Sequence, residues 1–165
     1  MCFMEIRPAE MKDLDKIMQV YASARRYMAE NGNPNQWTDG YPRRELIVSD
    51  IESGCSFVAV EGGEVHAVFA FMEGEEPTYA KIYDGHFLND APYGTIHRIA
   101  SDGTLRGVFS ACLDFCFSRI NNIRIDTHEQ NKIMRRLVKA NGFTYCGIIY
   151  VPNGARRAYQ RINDK

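Results

Sequence analysis

The stretch RIDTHEQNKIMRRLVKANGF, residues 124–143, decides the fold of this chain. It predicts a strand that leads into a helix, followed by a glycine stop and a second strand. Thr127 and Gln130 have the spacing of a capping box, which predicts that the helix begins close to Asp126 and Thr127. Gly142 stands where a left-handed residue would end the helix. The apolar residues that share one helical face are Ile133, Met134, Leu137 and Val138.

The opposite face of this helix is basic and carries Lys132, Arg135, Arg136 and Lys139. A basic helical face is usually a solvated surface. The alternative is that some of these cations face a ligand that bears phosphate. The pattern leaves both interpretations open.

Length and composition are those of an ordinary globular protein. A chain of 165 residues can bury a substantial core, so we expect a single domain over residues 1–165. A net charge of −1 offers no basic field for nucleic acid. No apolar run comes close to the length of about 20 residues that a membrane-spanning helix needs. We therefore expect neither nucleic acid nor a membrane as a partner.

The cysteines and the first residues bear on the compartment. The chain has five cysteines, an odd number, and no CxxC pair. They are Cys2, Cys55, Cys112, Cys116 and Cys146. The first residues lack the basic and apolar regions of a signal peptide. Both observations favour a reduced, cytoplasmic setting.

Several chemistries lack their sequence motifs. There is no HExxH and no group of Cys and His with zinc spacing, so no metal site is expected. GxGxxG, GxxxxGK[ST] and GxSxG are also absent. The sequence therefore does not point to a dinucleotide-binding fold, a P-loop or a serine hydrolase of that type.

The rest of the chain alternates between strand and helix patterns. Gly62 and Gly63 join two β-rich runs, which is a strong hairpin signal. Asp13 and Gly32 bracket a first helix, and Pro42 suits the start of a second. Strands are predicted over residues 4–8, 56–61, 64–71, within 79–89, and over 93–100, 122–126, 143–151 and 156–162; further helices are predicted over 105–120 and after Thr127. This order predicts a mixed α/β domain around a single sheet.

The order of elements and the motif in residues 126–143 resemble the GNAT superfamily of N-acetyltransferases, and the resemblance covers nearly the whole chain. It rests on Asp126-Thr127-His128, Asn131, Met134, Leu137, Lys139 and Gly142-Phe143, and on the segments 97–101 and 105–108. The resemblance implies a mostly antiparallel sheet flanked by helices. It also implies transfer of an acetyl group from acetyl-CoA to a primary amine of a small molecule or peptide.

The resemblance further implies a cofactor site. The backbone of one strand would pair with the pantetheine amides, and the following loop would hold the pyrophosphate with N–H groups at a helix N-terminus. The cofactor residues implied are Ile99, Ala100, Ser101, Gly103, Arg106, Gly107, Val108 and Asn131.

Two positions depart from the family pattern. Val138 stands where many members have a tyrosine that protonates the leaving thiolate, and Phe109 stands where the loop has a second small residue. Valine cannot donate a proton, so another group or water must serve. A non-catalytic acyl-CoA-binding or sensing domain is therefore the alternative function, and an interaction module that retains the fold is a third.

His97 is the candidate general base, because it lies on the strand expected to line the cofactor cleft. The other interpretation is a hydrogen-bonded core histidine. Lesser catalytic candidates are Tyr83, Tyr150, His128 and Glu64. Trp37 and Tyr41 lie where the family builds its acceptor site, and they are equally suited to anchor a loop. A homodimer through the terminal hairpin is a further possibility.

Overall fold

The computed structural model of the chain describes residues 4–163, so Cys2 lies outside the described residues. Over this range the chain forms one seven-stranded sheet and four α-helices. The strands are β1 Glu5–Pro8, β2 Ser56–Glu61, β3 Glu64–Glu73, β4 Gly94–Ser101, β5 Asn122–Thr127, β6 Thr144–Val151 and β7 Gly154–Ile162. The helices are α1 Leu14–Glu30, α2 Arg44–Glu52, α3 Val108–Phe117 and α4 Lys132–Ala140.

The strand order is β1-β2-β3-β4-β5-β7-β6, and every neighbouring pair is antiparallel except β4 with β5. This parallel pair is short. Its register joins only residues 94–96 of β4 to residues 123–125 of β5. Beyond Ile96 and Ile125 the two strands separate, and a gap opens in the middle of the sheet.

Apolar side chains from alternate strand positions cover both faces of the sheet. Helices α3 and α4 pack on one face, around Phe69, Ile123 and Val138. Helices α1 and α2 cover the first half of the opposite face, around Ile17 and Ile47. Residues 79–93 cover its second half. On this face, the gap between β4 and β5 therefore lies between helices α1 and α2 on one side and residues 79–93 on the other.

The start of α4 differs from the prediction. Thr127 belongs to β5, and the N-cap of α4 is Asn131, whose Oδ1 accepts a hydrogen bond of 3.0 Å from the N–H of Met134. The capping box of Thr127 and Gln130 is wrong, because β5 extends through Thr127 and a turn precedes the helix.

The end of α4 agrees with the prediction. Gly142 adopts φ +83°, and the N–H of Phe143 donates to the carbonyl of Val138. The N–H of Gly142 donates to Lys139. These two bonds form the Schellman motif that a left-handed glycine allows.

One other predicted element is wrong, and another begins later than predicted. Residues 79–89 form no strand; Tyr83 makes an isolated bridge to Ile148, and a 3₁₀ turn occupies Pro77–Tyr79. The helix predicted from Leu105 begins only at Val108. Residues 102–107 are therefore an open loop between β4 and α3. The Gly62-Gly63 hairpin and the terminal hairpin are confirmed.

A bulge in β4 sets the geometry next to the gap. Val68 pairs with Ala100 and Ala70 pairs with His97, so β4 holds one more residue than β3 between these pairs. The extra residue turns Arg98 to φ +52°. A bulge breaks the alternation of side chains. As a result, the side chains of His97 and Arg98 both turn toward the face covered by α1 and α2.

A left-handed backbone at a residue other than glycine costs roughly 1–3 kcal/mol and persists only when neighbours fix it. Arg98 is fixed from both ends. Its guanidinium makes two hydrogen bonds to the carboxylate of Asp50, at 2.9 and 3.0 Å. Its carbonyl accepts a hydrogen bond of 2.8 Å from the hydroxyl of the buried Tyr21. The bulge is thus held by α1 and α2 together.

We expect Asp50→Asn to lower the free energy of unfolding by about 3 kcal/mol, because it leaves a largely buried guanidinium without its counter-charge. Urea unfolding would measure the change. Asp15→Asn is the matched control, since Asp15 pairs with Arg44 at 2.9 Å on the surface and should matter little. Equal losses in the two variants would contradict the role assigned to Asp50.

Candidate active site

A cavity of about 820 Å³ lies on the sheet face that α1 and α2 cover, and it reaches into the gap between β4 and β5. Its walls come from the α1–α2 loop, α2, β4, the end of β5, the start of α4 and the β6–β7 turn. The residues that carry its chemistry are Gln36, Trp37, Tyr41, Asp50, Glu76, His97, Arg98, Asp126, Asn131 and Arg156.

The α1–α2 loop is tied across the cavity by Gln36. The side-chain oxygen of Gln36 accepts a hydrogen bond of 3.0 Å from Nδ2 of Asn131, at the start of α4. Its carbonyl accepts hydrogen bonds from Asn153 and from Arg156, at 3.2 and 3.1 Å. Gln36 therefore joins the α1–α2 loop to the start of α4 and to the β6–β7 turn.

His97 is held by a carboxylate. Its Nε2 lies 3.0 Å from Oε1 of Glu76, and both side chains are 18% exposed. The hydrogen bond from His97 lowers the pKa of Glu76 to about 2, and the N–H and hydroxyl of Thr78 add to the effect against partial burial. Because a carboxylate only accepts, Nε2 carries the proton that faces Glu76, and Nδ1 has no hydrogen-bond partner among residues 4–163.

Asp126 lines the cavity together with Glu76 and His97, and we call these three residues the floor of the cavity. Oδ2 of Asp126 accepts a hydrogen bond of 2.7 Å from the hydroxyl of Tyr79. Burial raises the pKa of Asp126, and nearby His97 and Arg156 partly oppose the shift. The same burial raises the pKa of Tyr79, so the phenol is the donor in this bond.

Aromatic side chains form the opposite wall. Trp37 contacts Tyr21 and Tyr41 edge to face, with ring centroids 5.7 and 6.3 Å apart. The hydroxyl of Tyr41 lies 3.4 Å from Nη1 of Arg98. Trp37 is 9% exposed, so it both anchors the loop and lines the cavity.

The loop after β4 leads to an open helix start. Gly107 adopts φ +73° as N-cap of α3, and no side chain caps the first turn. A Cβ built on Gly107 or Gly103 meets no atom within 4 Å, so the space above both residues is open. Phe109 is buried in the core instead of facing this loop.

His66 of β3 braces the same loop. Its Nδ1 lies 2.8 Å from Oδ2 of Asp102 and 2.9 Å from the hydroxyl of Thr104. The N–H of Thr104 donates to Oδ1 of Asp102 at 2.9 Å. The loop backbone is thereby fixed by hydrogen bonds from the N–H groups of Asp102, Gly103 and Thr104.

The sequence-predicted site residues fall into three groups. The cavity brings together His97, Ile99, Asn131, Trp37 and Tyr41. The loop and strand residues Ala100, Ser101, Gly103, Arg106, Gly107 and Val108 lie further along β4 and at the start of α3.

The remaining candidates lie outside the cavity. Tyr83 and Tyr150 form an exposed edge-to-face pair with ring centroids 5.4 Å apart. Nδ1 of His128 accepts a hydrogen bond from the N–H of Gln130 within the turn before α4. Glu64 is exposed and lies 4.0 Å from His66.

Sequence reasoning missed Glu76, Asp126, Arg98 and Asp50 as site residues. One signal was available for Asp126, because Arg124 and Asp126 alternate with isoleucines in a central strand. Charged residues on one face of such a strand are rarely buried unless they are paired or functional. Glu76 lies in a turn, and nothing local connects it to His97.

Two structural findings concern other kinds of site. Within residues 4–163 no cluster of His, Cys, Asp and Glu has an arrangement that could hold a metal ion. In the same range no helix is both long and apolar enough to cross a membrane.

The sequence matches no family model and no curated relative. Among solved structures, the chain is similar to an acetyltransferase of the GNAT family from Streptococcus agalactiae. The two are 36% identical, with a TM-score of 0.90 over 98% of this chain and 96% of that chain.

More distant structures share the fold. A GNAT-family acetyltransferase from Listeria monocytogenes is 20% identical, with a TM-score of 0.70 over 96% of this chain and 94% of that chain. An agmatine N-acetyltransferase is 12% identical, with a TM-score of 0.67 over 96% of this chain and 99% of that chain.

The pair of Glu76 and His97 makes a prediction about pH. Since the pKa of Glu76 falls to about 2 in the folded protein from 4.5, its stabilising effect is complete above about pH 4.5 and is lost as the pH falls toward 2. Glu76→Gln should therefore be less stable than the wild type at pH 7, and the difference should narrow below about pH 4.5. Urea unfolding at pH 7, 5, 4 and 3 would measure it. A difference independent of pH would contradict the pairing.

Proposed function

The chain belongs to the GNAT family of acetyltransferases, and on that premise we propose that it transfers the acetyl group of acetyl-CoA to a primary amine of a small molecule or peptide. The gap between β4 and β5 is the observation that carries the proposal. It joins a backbone edge without a strand partner, an open helix N-terminus and a cavity lined with titratable groups.

The residues around the gap fit the extended arm of the cofactor. Beyond Ile96, the edge of β4 that faces β5 has no strand partner among residues 4–163. Residues 99–101 can therefore offer N–H and carbonyl groups to the pantetheine amides, as a neighbouring strand would. Asn131 lies across the gap; its Oδ1 already caps α4 and its Nδ2 binds Gln36. It contributes mainly by fixing that side of the gap.

The loop after β4 fits the pyrophosphate. The uncapped N–H groups of α3 and the helix dipole favour an anion there. The open space above Gly103 and Gly107 lets a phosphate approach the backbone closely. Arg106 is exposed beside them and can add a positive charge. We assign the pyrophosphate to residues 103–108.

His97 is the proposed general base. Acetyl-CoA supplies the acetyl group as a thioester and leaves as the free thiol. Glu76 holds Nε2 of His97, so Nδ1 is free to take a proton from the acceptor amine as the N–C bond forms. An N–H of the β4 edge can polarise the thioester carbonyl. Val138 is fully buried in the core, so the proton for the thiolate comes from water or another group.

The acceptor occupies the cavity between the α1–α2 loop and the floor formed by Glu76, His97 and Asp126. Trp37 and Tyr41 offer aromatic surface to its carbon skeleton. The agmatine N-acetyltransferase of the same fold supports an amine acceptor.

The second candidate function is a non-catalytic acyl-CoA-binding domain, and Val138 favours it. Thermal shift separates the two. A ligand at 100 times its dissociation constant adds about 2.7 kcal/mol of stability. Stabilisation by acetyl-CoA with release of CoA across an amine panel supports the enzyme. Stabilisation without release supports the binding domain, and no stabilisation by acetyl-CoA or CoA would exclude both.

We expect Gly107→Asp to weaken acetyl-CoA binding at least about tenfold, because it places a negative charge against the pyrophosphate. Gly32→Asp is the matched control, since Gly32 also adopts a positive φ and has open space around it. Isothermal titration would compare them. Equal affinity in the Gly107 variant and the wild type would refute the placement of the loop.

We expect His97→Asn to reduce kcat by about 10²-fold or more, the usual contribution of a general base. The acidic limb of the pH–rate profile should also disappear, because the variant has no imidazole to deprotonate. Acetyl-CoA affinity should stay unchanged. A profile of unaltered shape would remove His97 from the role of base.

A further inference from the structure

Asp126 lies on β5 at the point where the pairing of β5 with β4 ends. Its register partner in β7 is Ala158, and it follows Ile125, the last residue of β5 that pairs with β4. Its side chain lines the cavity and is partly exposed to it. Asp126 therefore lies where the cavity meets the gap between β4 and β5.

The carboxylates that line the cavity differ in how many of their oxygens have a hydrogen-bond or ion-pair partner. Both oxygens of Asp50 bind the guanidinium of Arg98. Both oxygens of Glu76 are engaged, one by His97 and the other by Thr78. Asp39 is exposed to solvent. In Asp126, by contrast, Oδ2 accepts a hydrogen bond from Tyr79, and Oδ1 has no hydrogen bond from any described residue. No cationic side chain among the described residues lies within 4.0 Å of this carboxylate.

The nearby cations are committed elsewhere. Arg156 donates from Nη1 to the carbonyl of Ala155 and from Nη2 to that of Gln36. His97 is bound to Glu76. Burial raises the pKa of Asp126, which shows that its ionised form is under-compensated in this environment. A carboxylate of this kind gains most from a cation that enters the cavity.

We infer that Asp126 binds the positively charged amino group of the acceptor, so that the cavity selects protonated alkylamines over neutral aromatic amines. This inference rests on the proposed function and names the acceptor class of the same site. The free Oδ1 receives the ammonium, while Tyr79 fixes the orientation of the carboxylate through Oδ2. His97, which lines the same cavity, takes one proton from the ammonium and releases it to solvent, so that the bound amine is neutral before it attacks.

The placement also suits the bond-forming step. As the neutral amine nitrogen bonds to the acetyl carbon and the C–S bond breaks, positive charge develops on the nitrogen; its proton passes to His97, and the leaving thiolate takes a proton from water. A carboxylate beside that nitrogen stabilises the developing charge in a site shielded from water. Asp126 is therefore a specificity residue that also favours the reaction.

The test uses n-butylammonium as probe, with CoA present, and compares it with aniline and n-butanol. Binding is followed by NMR at pH 7.5, and the ¹³C carboxyl signal of Asp126 is followed in the wild-type protein. We expect n-butylammonium to bind and to shift this signal, whereas aniline and n-butanol do neither. Asp126→Asn should weaken n-butylammonium binding at least about tenfold.

Asp114→Asn is the matched control, because Asp114 is exposed on α3 away from the cavity, and it should bind the probe as the wild type does. Stabilisation of the Asp126→Asn variant by CoA, measured by thermal shift, shows that the variant is folded. Unchanged n-butylammonium binding in that variant, or equal binding of n-butanol, would overturn the inference. Failure of CoA to stabilise the wild type would instead overturn the proposed function, so the two failures are distinguishable.

Discussion

The ion pair between Arg98 and Asp50 is the interaction on which the site depends. Arg98 occupies a left-handed backbone conformation because β4 carries one residue more than β3 at this point. The guanidinium is anchored in α2 and the carbonyl is anchored by Tyr21 in α1. Without these anchors an arginine would revert to an extended strand, since the conformation is costly. His97 would then lose its place beside Arg98 on the cavity face.

The bulge also explains why the gap and the cavity coincide. Two residues before Arg98, β4 still pairs with β5 at Ile96; beyond Ile96, the two strands are no longer paired. Backbone groups, a titratable pair and a carboxylate thus meet where the parallel pairing of β4 with β5 ends. Such an interruption exposes orphan N–H and carbonyl groups that ordinary sheets satisfy. The fold therefore creates a binding edge without a specialised motif.

Local patterns predicted those parts of the fold that local physics controls. The Gly62-Gly63 hairpin, the terminal hairpin and the glycine end of α4 each depend on residues close in sequence. The start of α4 was misassigned because Thr127, Gln130 and Asn131 all suit an N-cap, and only the length of β5 selects Asn131. The supposed strand around Tyr83 failed because only Tyr83 bridges to the sheet, at Ile148, whereas its neighbours Tyr79 and Phe87 pack against the sheet face.

The candidate site was less predictable, because its contacts join distant parts of the chain. His97 was found through the strand it occupies, whereas its partner Glu76 is 21 residues away in a turn. Asp50 and Arg98 are 48 residues apart, and their pairing follows from a bulge that no sequence pattern announced. The departure at Val138, by contrast, is visible in the sequence alone. The helix of the family motif is present, but valine replaces the tyrosine that many members carry at this position.

The most direct measurement is a co-crystal structure with CoA. We expect the pantetheine arm to lie in the gap between residues 99–101 and Asn131, with the pyrophosphate at residues 103–108 and the thiol facing His97. The bulge at Arg98 should be unchanged. CoA bound elsewhere on the protein, or a gap closed by continuous pairing of β4 with β5, would contradict it.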